Sequence, residues 1–131
     1  MTVAELTEKF TELEALIAEE KGPFAFFALF LREGAPNSWD LMVSAPWAGE
    51  DRPSVVDYLV SQIKSRLGAQ VLMYLSQIVV INPENPALQA LNRTIQVEHG
   101  RVEVRDTDFF GRTVKHAYII TSQRPQAPAP A

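Results

Sequence analysis

Between Thr94 and Ser122 apolar and polar residues alternate over almost thirty positions, interrupted by two short turn-forming pairs: TIQVE, His99-Gly100, RVEVRDTDFF, Gly111-Arg112, TVKHAYIITS. Period-two alternation marks strands with one buried face and does not suit a helix. The stretch predicts three strands joined by two-residue turns. With His99-Gly100 as the first loop, Val97 pairs with Val102 and Ile95 with Val104. Paired residues share a face, so Ile95, Val97, Val102 and Val104 point one way and Gln96, Glu98, Arg101 and Glu103 the other. A one-residue slip would mix the two sets, which pins the register. Glycine tolerates the positive φ of such a turn, so Gly100→Val should cost about 1–3 kcal/mol.

With Gly111-Arg112 as the second loop, Asp108 pairs with Lys115, Thr107 with His116, Arg105 with Tyr118 and Val104 with Ile119. Ala117 and Ile119 then extend the first apolar face, while Val114, Tyr118 and Ile120 line the opposite one. That second face is too apolar to be left to water. The N-terminal helix or a second subunit should cover it. Since the first face also needs a helix layer, the pattern predicts a homodimer whose interface includes Tyr118 and Ile120.

Upstream, Thr2 to Glu20 reads as a helix: Thr2 and Glu5 fit a capping box, and Val3, Leu6, Phe10, Leu13 and Ile17 form one stripe, with most acidic residues outside it. Lys21-Gly22-Pro23 ends it. FAFFALFL, Phe24 to Leu31, is apolar on both faces and reads as an interior strand, joined by a Gly/Pro/Asn turn to a strand at Trp39 to Ser44. In that second strand Trp39, Leu41 and Val43 face one side and Asp40, Met42 and Ser44 the other. Ser54 to Leu67 is a second amphipathic helix with the stripe Val56, Leu59, Ile63 and Leu67, stopped by Gly68. One more helical turn follows, then a buried strand at Gln77 to Ile81, then a short helix at Pro86 to Asn92 capped by Asn85. The element order is α-β-β-α-β-α-β-β-β. It predicts a single α+β domain over residues 1–122, with a mostly antiparallel sheet and helices packed on one face. Residues 123–131, QRPQAPAPA, read as a disordered Pro/Ala tail whose deletion should leave the melting temperature unchanged.

Composition narrows the function classes. A net charge of −4 argues against a nucleic-acid binder, which would carry a basic face. With no cysteine there are no disulfides, thiolate metal sites or cysteine nucleophile, which is compatible with a cytoplasmic location. No apolar run is long enough to span a bilayer. Phosphate-binding glycine loops, nucleophile elbows, zinc-helix and calcium-loop motifs are absent, so no metal, cofactor or catalytic residue is assigned.

The candidate binding residues are Trp47, Glu50, Asp51, Glu103, Arg105, Tyr118 and Ile120. Trp47 lies in the loop APWAGEDRP and is either tucked against the core or offered to a partner, with the tucked reading preferred. Glu50 or Asp51 would cap and complement the start of the following helix. Glu103, flanked by Arg101 and Arg105, is either a solvated charge ladder or part of a recognition strip with Tyr118 and Ile120 as its apolar neighbours. His99 and His116 fall about 20 Å apart along the ladder and cannot share an ion within one subunit. The leading functional reading is a non-enzymatic protein-interaction or regulatory module. The alternative is a small-molecule-binding domain or small enzyme with a pocket near the Phe24–Leu31 strand and the Trp47 loop.

Overall fold

A computed structural model describes residues 2–32, 34, 38–49 and 51–125. The chain forms α1 (Val3–Lys21), β1 (Phe26–Arg32), β2 (Trp39–Ser44), α2 (Arg52–Arg66), β3 (Leu75–Val80), α3 (Pro86–Thr94), β4 (Val102–Phe109) and β5 (Arg112–Ser122), with short 3-10 turns at Pro46–Ala48 and Ala69–Tyr74. One sheet runs in the order β3-β2-β1-β5-β4. All neighbours are antiparallel except β2 and β3, which are parallel and joined by a crossover through α2. The fold is α+β with a mostly antiparallel sheet, as the sequence predicts. Among the described residues no helix is long and apolar enough to cross a membrane.

Helix boundaries follow local chemistry. Thr2 caps α1 by accepting the Glu5 N–H at 3.1 Å, and Gly22, at φ 119°, closes it by donating to Ala18 O at 2.9 Å. Leu6, Phe10, Leu13 and Ile17 are buried as the stripe requires, while Val3 stays exposed in the first turn. In α2 the buried stripe is Val55, Leu59 and Ile63; Val56, expected inside, is only half-buried. Asn85 caps α3 by accepting from the amides of Ala87 and Leu88.

β1 sits at the middle of the sheet, hydrogen-bonded to β2 on one side and β5 on the other. Its alternate side chains enter two cores. Phe27 and Leu29 join Leu41, Val43 and Ile120 beneath α1 and α2, whereas Phe26, Ala28 and Phe30 join Met42, Ala117 and Ile119 beneath α3 and its Leu88. The helices therefore lie on both faces, two on one and one on the other, which corrects the expectation of a single helical face. A central strand apolar on both sides leaves no alternative, because either bare face would expose phenylalanines. Asn92 fastens α3 in place, its side-chain amide donating to Ala25 O and Ser122 Oγ at 3.0 Å each. β3, expected to be a buried strand, is an edge strand and only half-buried.

The first predicted hairpin does not form. α3 runs on to Thr94, and the chain does not reverse at His99-Gly100. Instead Val97 bridges Ser122 of β5 and Gly100 N–H donates to Ile120 O at 3.0 Å, so residues 97–100 run along β5 in the same line as β4. The predicted face survives this change: Ile95, Val97, Val102 and Val104 all pack in the core beneath α3. The second hairpin exists, but its turn is Phe110-Gly111, both residues having positive φ (53° and 75°). Phe109 pairs with Arg112, Arg105 with His116, Val104 with Ala117 and Glu103 with Tyr118, a shift of two from the predicted register. A shift of two preserves the faces. Val114 nonetheless packs with Ala117 and Ile119 rather than with Tyr118. Asp106, at φ 49°, breaks the alternation of β4 and brings Phe109 onto the same side as Val104. The C-terminal boundary also moves. Gln123, assigned to the tail, donates through its amide nitrogen to Phe24 O and Glu98 Oε2 at 2.9 Å and through its N–H to Ala25 O at 3.1 Å. Residues 126–131 lie outside the described residues.

Gly100 is still constrained, for a different reason. Its φ is not left-handed; a Cβ built there would come within 2.8 Å of Val97 Cγ2. Valine is stiff at χ1 and cannot swing away freely. Gly100→Ala is expected to destabilise the protein by about 1–3 kcal/mol in a urea titration, and Val97→Ala in the same chain to recover part of that loss. Strictly additive losses would show that this contact is not the cause.

Candidate functional site

The face of β4 and β5 that looks toward α1 carries two polar clusters. The first is built on Glu14. This residue follows Phe10 by four positions and precedes Ile17 by three, so the helix turns it into the core, and it is fully buried. The ladder between β1 and β5 slips by one residue between Phe27 and Ala28, so that Thr121 pairs with Phe27 on the α1 side. Such bulges re-aim side chains. Thr121 Oγ1 donates to Glu14 Oε2 at 2.9 Å and accepts the His99 backbone N–H at 3.2 Å. His99 Nδ1 contacts both oxygens of the same carboxylate, Oε1 in a short contact and Oε2 at 3.1 Å. His99 is a non-glycine residue at φ 51°, the conformation that swings its ring onto α1.

Two effects oppose each other at Glu14. Burial pushes its carboxyl above the usual carboxylate range; the hydrogen bonds from His99 and Thr121, and the attraction of the imidazole, pull it down, and burial is the larger. The carboxylate fixes the Nδ1 side of the ring, leaving Nε2 pointing outward, 3.9 Å from Glu98 Oε2. The nearby hydroxyl of Thr121 is on the Glu14 side and is already engaged, so among the described residues of the cluster no free nucleophile stands beside the ring. Among the described residues no group of three or more potential ligands could hold a metal ion.

The second cluster is centred on Glu103. Its Oε1 accepts from Arg105 Nε at 2.9 Å and from His116 Nε2 at 2.6 Å, with Arg105 Nη2 at 2.8 Å. Arg105 first, then His116, hold this carboxyl below its usual range. The His116 ring stacks on Tyr118 at 4.7 Å and 26°, and the Tyr118 phenol is pushed up by burial and then by the Glu103 charge. Behind them lies Trp39, buried, 5.7 Å from the Tyr118 ring and 6.5 Å from His116. A half-exposed aromatic pair therefore rests on a rigid floor, with Arg105 (70% exposed) and Glu103 at its rim. The ion pairs themselves add little stability at this exposure.

Glu103, Arg105 and Tyr118 are thus brought together as the sequence suggests, although Tyr118 lies opposite Glu103 and His116, not Tyr118, opposite Arg105. Ile120 is not part of the strip: it is fully buried under α1, which removes it from any surface interface. Trp47 is tucked, its indole N–H donating to Gly22 O at 2.9 Å and its ring packed edge-on against Phe24 and Tyr58. Asp51 is the α2 cap, accepting from Ser54 N and Oγ at 3.1 and 2.7 Å, and these bonds lower its pKa. Glu50 lies outside the described residues. The side chains of Phe24 to Phe30 fill the two cores, and Trp47 closes over Phe24. An open groove of about 460 Å³ lies elsewhere, between α3 and β4, with Leu91, Ile95, Val104 and Phe109 among its walls. The residues missed from sequence are Glu14 and its partners; the signal was the place of Glu14 in the α1 stripe, between Phe10 and Ile17. No protein-family model matches the chain, and neither a curated protein nor a solved structure matches it.

The Glu14 cluster sets a pH dependence. A carboxyl whose folded pKa lies above its unfolded value binds more protons folded than unfolded, so stability falls as pH rises from the ordinary carboxylate value through the raised one. His99→Ala removes interactions that favour the charge, so the raised value climbs and the fall steepens, with a loss of about 1–3 kcal/mol at neutral pH. Glu14→Gln should remove this component of the slope. Urea midpoints between acid and neutral pH measure it; a His99→Ala profile parallel to wild type would contradict the assignment.

Proposed function

We propose that this protein is a non-enzymatic protein-interaction module, acting as a homodimer in the cytoplasm, and that it meets its partner through Glu103, Arg105, His116 and Tyr118. One observation carries the reading: a stacked His116–Tyr118 pair, backed by buried Trp39 and rimmed by Glu103 and Arg105. Aromatic centres on a rigid floor with a charged fringe are the usual make-up of protein-binding hot spots. Against catalysis stands the distribution of the proton-transfer groups. His99 and His116 each answer to a separate carboxylate, Glu14 and Glu103, so among the described residues these groups do not converge with a nucleophile. Chain composition without cysteine is in keeping with the cytoplasm.

The test is affinity capture with tagged wild type, an Arg105→Glu/Tyr118→Ala variant, and an Arg93→Glu control on the exposed side of α3. Proteins retained by wild type and control, and reduced at least tenfold on the strip variant, are expected if the loss reaches about 1.4 kcal/mol. Identical profiles from all three would overturn the strip as the recognition surface.

A further inference from the structure

The two edges of the sheet differ in kind. β4 carries Glu103, Arg105, Asp106 and Asp108, and its run of extended backbone is broken by Asp106 at φ 49°. Charge and local distortion are the standard means of keeping an edge from pairing. β3 has neither. Its sequence, LSQIVV, contains no charge, proline or glycine, and no residue in it has a positive φ. Among the described residues it pairs with β2 alone. Ile78, Val79 and Val80 are half-buried, where their neighbours in β2 are fully buried. Immediately before the strand, Met73 is 85% exposed, the most exposed large apolar side chain among the described residues.

We infer that β3 of a second copy of this chain pairs antiparallel with β3, joining two five-stranded sheets into one of ten strands. This rests on the homodimer of the proposed function and places its interface on the edge opposite the recognition strip. Charge selects the occupant. In a two-fold antiparallel pairing every residue meets its own kind or a near neighbour in sequence. On β4 that would bring together two strands that each carry three carboxylates, Glu103, Asp106 and Asp108, against one guanidinium, Arg105. β3 itself carries no charged residue, and the Arg32 guanidinium that reaches Ser76 Oγ at 3.4 Å is paired with Asp40 at 2.9 Å, so for a chain of net charge −4 this edge is where two copies can approach closely. The strand pair supplies backbone hydrogen bonds, and the exposed Met73 beside it adds the apolar area that a strand alone lacks for a stable interface.

Sedimentation velocity on the full chain tests this. Wild type is expected to be a dimer, and Ser76→Lys/Gln77→Lys, which places like charges on the otherwise uncharged β3, to be a monomer with an unchanged circular dichroism spectrum. A second measurement is independent of that variant's folding. The chain has no cysteine, so Ser76→Cys takes a single spin label. Pairing through β3 holds the two labels within about 20 Å, the length of a six-residue strand, whereas pairing through β4 separates them by nine strand spacings, about 43 Å. A wild type that is monomeric up to about 100 µM, a folded Lys variant that stays dimeric, or the long label distance each overturns the inference. Strip-dependent capture by a monomeric wild type would leave the recognition surface standing and remove only the dimer; a β3 dimer with strip-independent capture would do the reverse.

Discussion

A strand whose side chains are apolar on both faces cannot rest at a surface, and β1 is such a strand. Phe24 to Phe30 are all essentially inaccessible to water. Burying them requires cover above and below and a hydrogen-bonded neighbour on either side. Those requirements account for most of the architecture. α1 and α2 supply one cover, α3 the other, and β2 and β5 the two neighbours. Each full-sized aromatic side chain removed from water contributes on the order of 1.5–3 kcal/mol, so the four phenylalanines between 24 and 30 outweigh any of the exposed ion pairs. The surface clusters are arranged on this scaffold and do not hold it together.

The alternation between Thr94 and Ser122 shows what a sequence pattern does and does not specify. It placed Ile95, Val97, Val102, Val104, Ala117 and Ile119 on one face, and the structure keeps all six in one core. It did not specify which strands are neighbours. Two segments joined by a reversal and two segments laid end to end along a third can have the same in-and-out pattern, because period two records only the face. The choice was made elsewhere: α3 extends to Thr94 and is fastened by Asn92, leaving too little chain to return beside β4. The register of β4 against β5 escaped for a related reason, since a shift of two leaves the faces unchanged and only the positive φ at Phe110 and Gly111 locates the turn.

The candidate site was legible in part. Glu103, Arg105 and Tyr118 were found because alternation puts them on a polar face with an aromatic neighbour. His116 was displaced by the same two-residue shift. The Glu14–Thr121–His99 cluster needed facts that no local pattern holds: a bulge opposite Phe27 that turns Thr121 toward α1, and a left-handed His99 that brings its ring from a distant segment. Ile120 looked available because its face appeared to lack cover, and α1 turned out to supply it. Burying the Glu14 carboxylate is unfavourable unless it is satisfied, and its two partners come from residues 99 and 121, so the cluster also ties the first helix to the far end of the chain.

The position of β5 has a consequence for the order in which the protein can be assembled during synthesis. β5 follows the other elements in the chain, yet it lies between β1 and β4. Phe26 pairs with Ser122 and Leu29 with Tyr118, contacts that span roughly ninety residues or more. Until β5 has left the ribosome, one side of the most apolar strand in the protein has no hydrogen-bonding neighbour. At the usual elongation rate of about 5–20 residues per second, that interval lasts several seconds. An emerging chain with β1 in this state is a target for chaperones that recognise extended apolar segments, and it is then, rather than in the finished fold, that FAFFALFL is most exposed to misassociation.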